Sequence, residues 1–249
     1  MKAIFRRILK NGMLSLVLGP AIAMGQSSPV PKPEPPPGPL LATAPDHSEW
    51  LVTFSYPDER SKDAAADSAA AGRTKTIVTS RAKDTVHEEI TDASGGRFDE
   101  WFIGGILYSK NAAGKTWGEL HAGDPKRPAF SPLPASGFRG LDWINKESYA
   151  GTMKFGGRMC LVFIDNAPPH VILSEVAEQP GGFENFSKVA FVDAESRLPV
   201  QEEVAGIIRS YKFVDPSPDA FTLPPDLDAA LKQEAETRAA LSQRLPRPY

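Results

Sequence analysis

Glu49-Trp-Leu-Val-Thr-Phe-Ser-Tyr56 alternates without a break. Trp50, Val52, Phe54 and Tyr56 fall on one side, and Leu51, Thr53 and Ser55 on the other. A period of two with aromatic residues on one side is the pattern of a half-buried β-strand, and Pro57 cannot continue its ladder. Working outward, related patterns predict strands over 74–81, 85–91, 97–109, 115–121, 149–155, 158–165, 171–177, 187–192, 198–204 and 206–214. In the last of these, Ile207, Arg209, Tyr211 and Phe213 share one face. Asp92-Ala-Ser-Gly-Gly96, Gly156-Gly157 and Asp193-Ala-Glu-Ser196 supply turns, and Gly104-Gly105 predicts a bulge or sharp bend within 97–109. Residues 58–72 read as a loop with a helical turn, 123–140 as a proline- and glycine-rich loop or cover segment, and 141–148 as a short helix. Asp226 is placed to N-cap a final helix over 227–243, whose apolar side (Leu227, Ala230, Leu231, Leu241) is thin. Short strands joined by tight turns, with no long helix between them, exclude a βαβ fold. The expected class is mainly β: a curved antiparallel sheet or half-barrel of about eleven strands, with few short helices and a C-terminal helix.

The ends of this pattern divide the chain into 1–25, a signal peptide; 26–47, a Pro-rich linker; 48–225, the antiparallel domain; and 226–249, a C-terminal helix and tail. Residues 1–10 carry Lys2, Arg6, Arg7 and Lys10, an apolar run of about 13 residues follows, and Ala21-Ile-Ala23 or Ala23-Met-Gly25 fits a cleavage site. Basic, apolar, small is the order of a secretory signal, and the run is short of the roughly 20 residues that span a bilayer as a helix. The expected location is therefore periplasmic or secreted. Seven prolines between Pro29 and Pro39 favour an extended polyproline II spacer.

Composition sets further bounds. The 249 residues carry 28 basic and 31 acidic side chains, a formal charge of −3. Without residues 1–25, 24 bases face 31 acids, giving −7. Binding to nucleic acid or to an anionic membrane through bulk charge is disfavoured. One cysteine excludes a disulfide scaffold and a thiolate zinc site; Cys160, inside Met159-Cys-Leu-Val-Phe-Ile164, reads as a small buried hydrophobe. His47, His87, His121 and His170 form no metal-binding spacing, so no metal and no cofactor is expected. Glu88 and Glu89, like Asp99 and Glu100, are strand neighbours that point to opposite faces, and neither pair makes an acid–base site by itself. There is no GxSxG elbow and no phosphate loop. No catalytic residue is assigned, which lowers the case for an enzyme without abolishing it.

Phe191-Val-Asp-Ala-Glu-Ser-Arg-Leu-Pro-Val-Gln201, then Tyr211-Lys-Phe213, then Leu223-Pro-Pro-Asp-Leu227 resembles the closing hairpin of the LolA/LolB/RseB-like periplasmic proteins. The stretch 143–164, with Gly151 and a glycine turn before an apolar strand, is compatible with that pattern. The resemblance implies a half-barrel covered by helices around an apolar cavity. In that group the carriers hold lipoprotein acyl chains and the RseB-like members sense envelope stress. This chain departs from the carriers in its proline-rich lead and few helices, and Arg81, Arg97 and Arg209 are strand arginines whose direction the sequence does not give.

These readings converge on an exported, non-enzymatic envelope protein that binds an apolar, lipid-like ligand in a half-barrel cavity. The expected lining is Trp101, Ile103, Trp143, Phe163, Tyr211 and Phe213, with the inner face closed by 123–148 and the C-terminal helix. The alternative is an envelope interaction or scaffold protein that uses the Pro-rich tether and a sheet surface; an exported hydrolase with a dispersed site ranks behind both. A lipid or lipoprotein ligand and an envelope protein partner are the expected partners, and nucleic acid is not.

Overall fold

A computed structural model describes residues 32–57, 72–110, 117–120, 134, 136–166, 171–179 and 182–244. The expected signal peptide, the proline-rich lead up to residue 31, most of the 58–72 loop, nearly all of 123–135 and the last five residues lie outside the described residues.

The strands are β1 (Ser48–Ser55), β2 (Thr74–Ala82), β3 (Thr85–Asp92), β4 (Arg97–Ile103), β5 (Ile106–Lys110), β6 (Trp117–Leu120), β7 (Tyr149–Phe155), β8 (Arg158–Ile164), β9 (Lys188–Asp193), β10 (Pro199–Val204) and β11 (Ile207–Val214). They form one open antiparallel sheet in the order β6-β5-β4-β3-β2-β1-β11-β10-β9-β8-β7. β1 therefore lies at the centre, and the chain meanders from it to one edge, crosses to the other, and meanders back. Among the described residues two α-helices accompany the sheet, α1 (Leu173–Glu178) and the C-terminal α2 (Pro225–Arg244).

The number of strands agrees with the sequence reading because two differences cancel. Residues 97–109 are two strands rather than one bent strand. Gly104 and Gly105 both have positive φ, 58° and 83°, which matches the twist of a two-residue hairpin, so Ile103 pairs with Ile106. Residues 171–177 are not a strand. Their core is α1, which buries Leu173 and Val176 three positions apart on the outer face of β7–β9. That face, with Cys160, Val162, Ile164, Val189 and Phe191, is apolar and needs a cover. A helix fits because Gly151 leaves room: a Cβ there would lie 3.1 Å from Leu173 Cδ1.

Two further expectations change. Residues 141–148 are turns rather than a helix, and hydrogen bonds between Asn145 and Ser148 hold them. The final helix starts at Pro225, whose fixed φ suits a first helical position, so Asp226 lies inside the first turn. It covers the outer face at the other end of the sheet, where Leu227 packs with Trp101 and Tyr108 and Asp226 pairs with Lys110 at 3.2 Å. It does not close the inner face.

The inner face is closed instead by two stretches. Phe138 and Leu141, from the strap at 136–148, join Trp50, Val52, Tyr149, Leu161, Phe163, Ala190 and Val192 in the main core cluster. The described end of the proline-rich lead joins it too: Ala44 is buried there, with Leu40 and Leu41 packed alongside. The Ala44 N–H donates to Ser136 O and the Ala42 N–H to Arg197 O. The lead is therefore part of the fold from about Pro37, where the Arg197 guanidinium also donates to the backbone.

Candidate functional site

The candidate site lies on the inner face, where the central strands pass beneath the strap. Alternation in β1 turns Trp50, Val52 and Phe54 inward. Antiparallel register then sets Phe213, Tyr211 and Arg209 opposite those three on β11, and Thr79 and Ile77 opposite the first two on β2. One strand further on, Glu88 stands opposite Thr79, and Glu100 opposite Glu88. On the other side Glu202 stands opposite Arg209. Three carboxyl side chains thus enter a face that is otherwise largely apolar.

The strap brings the matching groups. Phe138 is 1 % exposed and meets Trp50, Tyr211 and Phe213 edge-on, at ring separations of 5.3, 6.3 and 6.0 Å. Arg139 reaches Glu88 at 3.1 Å and Glu100 at 3.5 Å, and lies over the Phe102 ring. Arg209 pairs with the fully buried Glu202 at 2.9 Å, and the Trp143 indole N–H donates to the same carboxylate at 3.2 Å. Glycine on each side of the Phe-Arg pair makes this seat. Both residues have positive φ, and a Cβ would come within 2.6 Å of Arg81 Nη1 at Gly137 and 2.5 Å of Arg209 Nη1 at Gly140.

Beside Phe138 is a cavity of about 150 Å³. Its apolar wall is Trp50, Val52, Phe54, Ile77, Phe138 and Tyr211; Thr79, Glu88, Arg139 and Arg209 complete it. Burial raises the Glu88 carboxyl to about 7, with Arg139 opposing and Glu100 adding to the shift. Burial also raises Glu202, against the pull of Arg209 and the Trp143 hydrogen bond. The Tyr211 phenol is raised as well, first by burial and then by Glu202, so it stays a neutral donor.

The expected lining residues separate into two groups. Tyr211 lines the cavity. Phe213, Phe163 and Trp143 belong to the same inner core cluster. Trp101 and Ile103 lie on the opposite face with Tyr108 and Leu227. There His87 stacks on Trp101 at 4.2 Å and bonds Asp99 at 3.0 Å. Of the strand arginines, Arg209 points inward, while Arg97 is exposed and pairs with Glu89.

Sequence reasoning missed the charged residues of the site. Two signals were present. The β3–β4 hairpin folds about the turn at 92–96, and reflection about that turn sets Glu88 against Glu100. Gly-Phe-Arg-Gly is an aromatic–cation pair between two glycines, a pattern that suits close approach of backbone to a wall. Among the described residues no group of three or more His, Cys, Asp or Glu could hold a metal ion, and no helix is long and apolar enough to cross a membrane.

No protein-family model and no curated protein matches the sequence. Among solved structures the chain is similar to the Mycobacterium tuberculosis lipoprotein LppX, with 9 % identity and a TM-score of 0.34, over 67 % of this chain and 84 % of that one. An overlap this loose assigns neither a family nor a function.

Proposed function

We propose that this protein is an exported, non-enzymatic binding protein that holds an apolar ligand on the inner face of its sheet, beneath the strap. The observation that carries the reading is the cavity of about 150 Å³ beside Phe138, walled by aromatic and branched side chains and flanked by buried charge. A volume of about this size accepts a benzene-sized molecule. A longer, lipid-like chain fits only when Phe138 leaves its seat, which would open the site toward Phe213 and, further along the same core, Phe163 and Trp143. The basic, apolar, small order of residues 1–25 supports export.

The test is native mass spectrometry of the protein purified without denaturation from its own source, followed by extraction and identification of whatever is bound. A stoichiometric apolar ligand is the expected result, lost in Trp143→Asp, which sets a second carboxylate near Glu202. A clean ligand-free mass for the unaltered chain overturns the proposal.

A further inference from the structure

The cavity's polar atoms show which kind of apolar ligand suits it; this step rests on the proposed binding function. Arg209 lines the cavity and uses Nη1 on Glu202, while its Nε is buried with no hydrogen-bond acceptor among the described residues. An unmet buried donor is destabilising, and an acceptor on a ligand would relieve that cost. Arg139 also lines the cavity, and its side chain is 41 % exposed, so part of the guanidinium remains open beyond its two carboxylate partners. The Thr79 hydroxyl and the Glu88 carboxyl complete the polar wall.

Charge gives the second line of argument. The cavity wall carries two guanidinium groups, Arg139 and Arg209, and one carboxyl, Glu88; Glu100 pairs with Arg139 and Glu202 with Arg209. Glu88 is the carboxyl seated in the cavity wall, and with a pKa of about 7 it holds its proton over half the time below neutrality. Protonation of Glu88 then leaves Arg139 with one anionic partner in place of two. The charged groups acting on Glu88 are Arg139 from the strap and Glu100 from β4; Arg209 shares the cavity from β11, and Thr79 opposite it on β2 is uncharged.

We infer that the ligand is a small monoanionic carboxylic acid, its ring or branched chain of about six to eight carbon atoms against Trp50, Ile77 and Phe138 and its carboxylate on Arg209 and Arg139. The volume excludes a diacyl lipid with Phe138 seated. The unmet donor and the two guanidinium groups in the wall disfavour an organic cation, although an aromatic wall beside a carboxylate would otherwise suit one.

Calorimetric titration of the full chain with benzoate, benzyl alcohol and benzylammonium, which share one ring and differ in the head, tests this. Benzoate is expected to bind at least tenfold more tightly than either of the others at pH 6, and to weaken as Glu88 ionises toward pH 8. Glu88→Gln should hold the benzoate affinity level across that range. Ile77→Trp, which fills the cavity from a half-buried position, should abolish binding. Equal affinity for benzoate and benzyl alcohol overturns the carboxylate assignment and leaves the apolar site standing. Benzoate binding that survives Ile77→Trp overturns the location. Failure of all three probes on folded protein overturns this assignment, while a larger ligand found by native mass spectrometry would still support the apolar site.

Discussion

The outer face of β7–β9 and the inner face beneath the strap are both covered, and the two covers differ. On the outer face α1 contributes only Leu173 and Val176 as buried residues, over Cys160, Val162, Ile164, Val189 and Phe191. Phe191 stacks on Phe155 at 4.0 Å and meets Phe183 edge-on, as in an ordinary close-packed core. On the inner face the strap also buries Phe138 and Leu141, but it carries Arg139 to Glu88 and Glu100, and a cavity remains beside it. A cover needed for stability alone is served at least as well by apolar side chains, because desolvating ion pairs offsets much of their attraction. On this contrast the proposed binding role of the strap rests.

The largest expected effect lies on the outer side. Phe191→Ala should cost about 3–5 kcal/mol in chemical denaturation and leave ligand affinity unchanged in the folded fraction. Phe138→Ala should fall at the low end of that range and change ligand affinity. If both variants lose equal stability and neither moves affinity, the distinction between the two covers fails.

The second effect is a pH dependence confined to the inner face. Glu88 has a folded-state pKa of about 7, above its ordinary 4.5, so the folded state binds the extra proton between those values. Stability must fall as pH rises through that window and level off above it, by on the order of 3 kcal/mol from this group. Glu88→Gln should reduce the decline to what Glu202, also raised by burial, contributes, and be the more stable protein at pH 8. Denaturant midpoints at pH 5 and 8 decide this; parallel slopes for the two proteins would show that Glu88 is not the source.

Smaller still is Gly140→Ala. The position has a φ of 86° and a Cβ would meet Arg209 Nη1, so about 1–2 kcal/mol should be lost, with Arg209 displaced from Glu202. Thermal melts measure it, and an unchanged melting temperature would mean that the strap yields freely. Last comes Cys160, fully buried on the outer side, its thiol raised by burial with Asp193 adding to the shift. A thiol reagent should label it at the rate of unfolding. Fast labelling of native protein would show that the outer cluster opens more readily than its packing implies.

Legibility followed the range of the physics. Strands 49–56, 158–165 and 206–214 were readable because alternation and apolar runs are local. The stretch 171–177 reads as a strand and folds as α1, because its apolar residues suit either period and the sheet face that needs covering makes the choice. Residue type groups Trp143, Phe163, Tyr211 and Phe213, which do share a core, with Trp101 and Ile103, which parity across β3–β5 turns outward.

The class is written locally in the chain: a run of short, mainly β segments, hairpin turns at glycine and aspartate, a C-terminal helix, and a composition unsuited to nucleic acid. These follow from backbone preference and side-chain period, which act within a few residues. Tertiary structure alone decided which face each cover takes, that Glu88 and Glu202 are buried rather than solvated, and that Gly137 and Gly140 let Phe138 and Arg139 into the sheet. Those outcomes depend on register between strands far apart in the chain, and on the cost of leaving a charge without a partner once water is gone.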